Sequence, residues 1–174
     1  MRSIIKLLPV VWLVACGTVE HSVVVQDEQA FRPETKVAVG EVTNRTGESF
    51  DVDVEQMLRN AMLKKLDEQD LTASPSSAEV MTIDLSIIEY RKGDAFKRWL
   101  WPGYGSTVLV IEATLLDTEG NVDATARANR SVDAGGAYTI GAWQSIFDDV
   151  AGDLVAELKM KISGELVVPA DGSN

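Results

Sequence analysis

The chain has 174 residues, 45% of them hydrophobic, and its 27 acidic against 16 basic side chains leave a formal charge of -11. That length suits one domain with a core of its own, and so acidic a surface repels nucleic acid and bare anionic lipid. A single cysteine and a single histidine exclude a disulfide framework and a metal cluster of His/Cys spacing.

Arg2 and Lys6 open the chain, followed by an apolar stretch from Leu7 to Ala15. A short basic start, an apolar run and small residues at its end read as a secretory signal peptide over 1–15, too short to span a bilayer. Its end, Leu13-Val14-Ala15-Cys16, resembles the lipobox of bacterial lipoproteins. The resemblance implies cleavage before Cys16, a diacylglycerol on its thiol and an acyl chain on the new amino terminus. The alternative, a free cysteine after a chance apolar start, leaves the agreement of length, charge and cysteine position unexplained. In such lipoproteins Asp after the cysteine favours the inner membrane. Gly17 stands there instead, so the resemblance implies the periplasmic face of the outer membrane. Two or more acyl chains anchor stably where one binds only marginally. Cleavage also removes Arg2 and Lys6, taking the charge from -11 to -13.

Residues 16–35, polar and irregular with Pro33 near the end, read as a lipidated flexible tether. His21 lies in it, so no Ser/His/Asp set is expected, and no cofactor beyond the lipids on Cys16. A single domain is expected over 36–163. Lys36 to Val42 is the first strand, and Asn44-Arg45-Thr46-Gly47 a turn. Val54, Met57, Leu58, Ala61, Met62 and Leu66 recur at helical spacing, which predicts a helix from about Val52 to Asp67 with Asp51 as its cap. Ser74-Pro75-Ser76-Ser77 is a loop. Met81 to Tyr90 alternates as a half-buried strand with Ile83, Leu85 and Ile87 inward. Thr107 to Leu116 is a strong strand, and Asp117 to Asn121 a turn. Val122 to Val132 completes a hairpin with Val122, Ala124, Ala126, Ala128 and Val132 inward and Asp123, Arg127 and Asn129 outward. That alanine-rich face calls for something bulky close to it. A helix from about Ala142 to Ile162 supplies it, with Trp143, Ile146, Phe147, Val150, Leu154, Leu158 and Ile162 in one stripe. Residues 164–174 read as a frayed tail. The order β-α-β-β-β-α predicts an α+β two-layer sandwich, a mainly antiparallel sheet with two helices on one face.

One segment does not fit a plain core. Residues 91–106 read RKGDAFKRWLWPGYGS. Phe96, Trp99, Leu100, Trp101 and Tyr104 stand among Arg91, Lys92, Lys97 and Arg98. Pro102, Gly103 and Gly105 leave room for one short helical piece, from about Asp94 to Trp101. Rings mixed with cations suit a membrane interface or a protein partner. In the other placement the rings cover the open sheet face, and in a mixed one Phe96 lies inside and Trp99 or Trp101 outside.

Two glycine patterns read as backbone turns. Gly103-Tyr104-Gly105 precedes a strand, out of context for a phosphate loop. Gly135-Gly136 and Gly141 precede a helix whose Asp148 and Asp149 oppose an anion.

Gly93-Asp94-Ala95, Arg98-Trp99-Leu100, Gly103-Tyr104-Gly105, the strand ending Leu115-Leu116-Asp117-Thr118-Glu119-Gly120 and the glycines near 135 resemble a family of bacterial lipoproteins defined by a domain of unknown function. The likeness covers about 35–162. More distantly, the element order is similar to the CsgG-like and PelC-like outer-membrane export lipoproteins. That resemblance implies rings at the outer membrane, an aromatic belt near it (here Trp99, Trp101 and Tyr104) and an acidic lumen for a cationic polymer. The chain lacks the long amphipathic hairpins with which CsgG-like proteins build a pore.

The expected function is a non-enzymatic outer-membrane lipoprotein, a ring-like homo-oligomer that serves an envelope export or assembly machine such as exopolysaccharide or fibre secretion. Its partners are the membrane and an envelope protein, its contacts Cys16 and Phe96, Lys97, Arg98, Trp99, Leu100, Trp101 and Tyr104. The alternative is a monomeric lipid-, glycan- or protein-binding module using the same loop. A hydrolase with paired carboxylates would need Asp94, Asp117 or Glu119 brought together.

Overall fold

The computed structural model describes residues 19–25, 34–77, 79–101, 104–133 and 141–162. In chain order they form β1 (Val19–Val25), β2 (Lys36–Asn44), α1 (Val54–Glu68), β3 (Val80–Arg91), α2 (Ala95–Leu100), β4 (Thr107–Leu116), β5 (Val122–Val132) and α3 (Ala142–Ile162). The β-α-β-β-β-α succession is present as β2-α1-β3-β4-β5-α3, an α+β sandwich with α1 and α3 together on one side of the sheet. The sheet runs β1-β5-β4-β3-β2; β2 and β3 pair in parallel and the other neighbours antiparallel.

One expected tether segment is instead a strand. Val19–Val25 pairs along β5 and extends the sheet. The β4–β5 hairpin leaves the outer edge of β5 open for pairing, and Val19, Val23, Val24 and Val25 favour extended backbone. The signal peptide, Cys16, Gly135-Gly136 and the tail at 164–174 lie outside the described residues.

The cap of α1 is Asp53, two residues later than expected; its Oδ1 accepts from the Gln56 amide at 2.8 Å. Val54, Leu58, Ala61, Met62 and Leu66 bury the predicted stripe. Along β3, Met81, Ile83, Leu85 and Ile87 enter the core. A bulge between Ile87 and Glu89 then shifts the alternation, so Tyr90 points inward and Glu89 outward. A second irregularity pairs Leu116 with Val122 and Leu115 with Ala124. It reverses an expectation: Val122 is exposed and Asp123 buried.

Small residues on β5 let α3 approach. Ala124 and Ala128 are buried beneath it, and Leu154 and Leu158 stand over Ala124 and Ala126. Full burial of side chains such as Leu58, Ile111 and Phe147 contributes about 1.5–3 kcal/mol each. Trp143, expected in the buried stripe of α3, is only partly buried. The outer edge of β2 is blunted by side chains. Arg59 donates to the Gly40 carbonyl at 2.9 Å, and Glu55 accepts from the Asn44 amide at 2.9 Å.

Candidate functional site

The segment between β3 and β4 projects from one end of the sheet as a braced loop. At its base the Asp94 amide donates to the Gly105 carbonyl at 2.8 Å, and Thr107 Oγ1 donates to the Lys92 carbonyl at 2.9 Å. Gly105 has φ +79°, and a Cβ there would come within 2.9 Å of the Asp94 carbonyl. α2 occupies the predicted place. Asp94 caps it, its Oδ1 accepting from Phe96 N and Lys97 N at 3.0 and 3.1 Å. The Trp101 amide bonds the Lys97 carbonyl and the Tyr104 amide the Trp101 carbonyl, both at 2.9 Å.

This bracing holds the rings outward. Phe96 is 67% exposed, Trp101 63% and Tyr104 71%, with Leu100 and Lys97 also exposed. They do not fold back to cover a sheet face, and Phe96 is not the inward ring. Arg98 and Trp99 belong to α2, their side chains outside the described atoms; Pro102 and Gly103 lie outside the described residues.

Behind the loop lies a cluster that sequence reading missed. Lys92 Nζ is 2.9 Å from Asp51 Oδ2 and 4.5 Å from the centre of the Trp143 ring. Its hydrogen bond and charge hold the Asp51 carboxyl below its usual value. Tyr90 packs edge-on against Phe50, with centroids 5.0 Å apart, and 5.3 Å from Phe147, while its hydroxyl donates to the Trp143 carbonyl at 3.2 Å. Burial, and next the Asp51 charge, raise its pKa to about 12. The only sequence signal was Lys92 in the basic run; strict alternation would have placed Tyr90 outside.

The anchor side of the chain meets the same end. Val19 pairs with Arg130, Arg130 with Leu109, and Leu109 with Tyr90, one row across the sheet two residues short of Lys92. The chain therefore enters β1 at the aromatic end, and Cys16 precedes Val19 by three residues.

The carboxylates do not converge. Asp117 and Glu119 sit in the β4–β5 turn, at the opposite end from Asp94. Asp117 accepts from Asn121 Nδ2 and the Asn121 amide, which lower its pKa. Among the described residues no three His, Cys, Asp or Glu side chains gather to hold a metal, and no helix is long and apolar enough to cross a membrane.

Among the solved structures that share the fold are two PelC dodecamers from Paraburkholderia phytofirmans. One, a point variant, is 18% identical, and the likeness covers 82% of this chain and 97% of that one at a TM-score of 0.56. The other is 15% identical with the same coverage and TM-score. At such identities the likeness speaks for fold alone. None of the curated proteins matches the chain in sequence. A family model described as a domain of unknown function, DUF4410, matches residues 25–136. That match runs from the end of β1 through the aromatic loop and the β4–β5 hairpin, more than half of the chain, and this protein belongs to the DUF4410 family.

Proposed function

We propose that this protein is a non-enzymatic envelope lipoprotein, anchored through Cys16 to the periplasmic face of the outer membrane. It forms a ring-like homo-oligomer that serves as scaffold or accessory of an export or assembly machine, such as one for exopolysaccharide or fibres. The observation that carries this reading is the braced aromatic loop, with Phe96, Trp101 and Tyr104 exposed at the end where the chain enters β1. Three residues of chain reach at most about 11 Å. The anchor and the rings therefore meet one surface, where aromatic bodies and Lys97 suit the headgroup layer. The shared fold of the dodecameric PelC structures supports assembly. Repetition around a ring would add weak contacts into firm attachment. No cofactor enters this function.

The test uses the full lipidated chain in detergent and on vesicles of outer-membrane phospholipid. Native mass spectrometry and negative-stain images are expected to show closed assemblies. The Trp101→Ala/Tyr104→Ala variant should keep its fold and bind vesicles more weakly. A strict monomer in both settings would overturn the scaffold. Tryptophan emission that neither shifts on vesicles nor is quenched by brominated lipid would overturn the membrane contact.

A further inference from the structure

We propose that the sheet face opposite α1 and α3, beside the aromatic loop, carries a binding groove for an uncharged oligosaccharide. The face is built from two cross-strand rows. Arg91, Val108 and Ser131 form one, and Glu89, Val110 and Asn129 the next. The bulge in β3 is what brings Glu89 into register here. These residues line a cleft of about 440 Å³. A second cleft of about 470 Å³, bordered by Lys97 and Tyr104, shares Arg91 and Ser106 with the first, so the two adjoin. Both volumes lie in the range of small-ligand sites.

The chemistry of this lining suits a sugar. Val108 and Val110 line the base of the first cleft with little surface exposed, and the exposed Tyr104 ring borders the second and offers an apolar face. The C–H faces of a pyranose pack on such surfaces. Asn129 and Ser131 supply donors and acceptors at strand spacing, as a ring of hydroxyls requires. Two ion pairs border the groove: Arg91 Nε bonds Glu89 Oε1 at 2.8 Å, and Lys97 Nζ lies 3.9 Å from Asp94 Oδ2. The Asp133 carboxylate accepts from Ser131 Oγ at 2.7 Å. No large charge excess faces the ligand, which favours a neutral one. β4 is hydrogen-bonded on both edges, so a peptide could not add as a strand here. The net charge of -11 disfavours nucleic acid.

This inference goes beyond the scaffold reading and shares only Tyr104 with it, so Asn129, remote from the membrane contact, is the variant that tells the two apart. The test applies the full chain in detergent micelles to an array of bacterial capsular, exopolysaccharide and lipopolysaccharide glycans. Neutral glycans should bind, and Tyr104→Ala and Asn129→Ala should each weaken binding about tenfold. Thr118→Ala, on the distant turn, should not. Circular dichroism checks that each variant is folded. Binding to no glycan overturns the proposal, as does glycan binding that Asn129→Ala leaves unchanged. If Tyr104→Ala lowers vesicle binding while glycan binding is absent, the ring serves lipid and the groove proposal falls. Oligomeric state, read separately, reports on the scaffold alone.

Discussion

The Asp94 amide and the Gly105 carbonyl, 2.8 Å apart, close the aromatic excursion into a loop of defined shape. Eleven positions of sequence separate them, and Gly105 closes the loop in the left-handed region, at φ +79°.

Gly105→Ala forces a side chain into the left-handed region and against the Asp94 carbonyl, 2.9 Å from the new Cβ. The left-handed conformation alone costs about 1–2 kcal/mol. Thermal unfolding should show a lowered Tm, and the Asp94 amide should lose hydrogen-exchange protection. A Tm equal to the parent's would show that the loop relaxes at no cost.

Asp94→Ala removes the cap of α2, a local loss of about 1 kcal/mol. The Phe96 and Lys97 amides, which bond Asp94 Oδ1, should exchange faster, while amides in β4 remain unchanged. Equal exchange at Phe96 and Lys97 would remove Asp94 from the account of how the rings are held.

Tyr90 ties stability to alkaline pH. Its pKa is raised in the fold from 10.0 to about 12. The neutral phenol is therefore favoured by the fold. Its contribution, on the order of 2 kcal/mol, is fully present below pH ~10 and is lost as pH rises towards ~12. Urea unfolding from pH 9 upward should show this decline in the parent chain. Tyr90→Phe should flatten it, and an undiminished decline in that variant would assign it to other groups.

Gly40→Ala would set a Cβ 2.1 Å from Asp84 Oδ1 and 2.5 Å from Thr82 Cγ2. Asp84 Oδ1 already accepts the Glu41 amide at 2.7 Å. Overpacking of this kind costs about 1–3 kcal/mol. Chemical denaturation should show a lower midpoint with an unchanged slope. An unshifted midpoint would mean that β2 and β3 separate freely at this point.

Much of the candidate site was legible in the sequence. The segment 91–106 stood out by its rings and cations, and its short helix lies where Pro102 and the glycines allowed one. The exposure of Phe96 was not legible, because ring type alone does not say whether a neighbouring face is free to receive it. Nor was the grouping of Lys92, Asp51 and Trp143, which come from three separate segments.

The sequence by itself determined what depends on near neighbours. Helical spacing marked α1 and α3, alternation marked β3, and composition fixed the acidic charge balance. The Cys16 motif, outside the described residues, stands as a sequence statement about the anchor. Only the tertiary structure decided what depends on distant partners. Val19–Val25 became a strand because β5 offered an open edge. Bulges reversed Glu89 and Tyr90 on β3, and Val122 and Asp123 on β5. A strand's local pattern has a fixed period of two, but an extra residue in a ladder is set by the strand it pairs with.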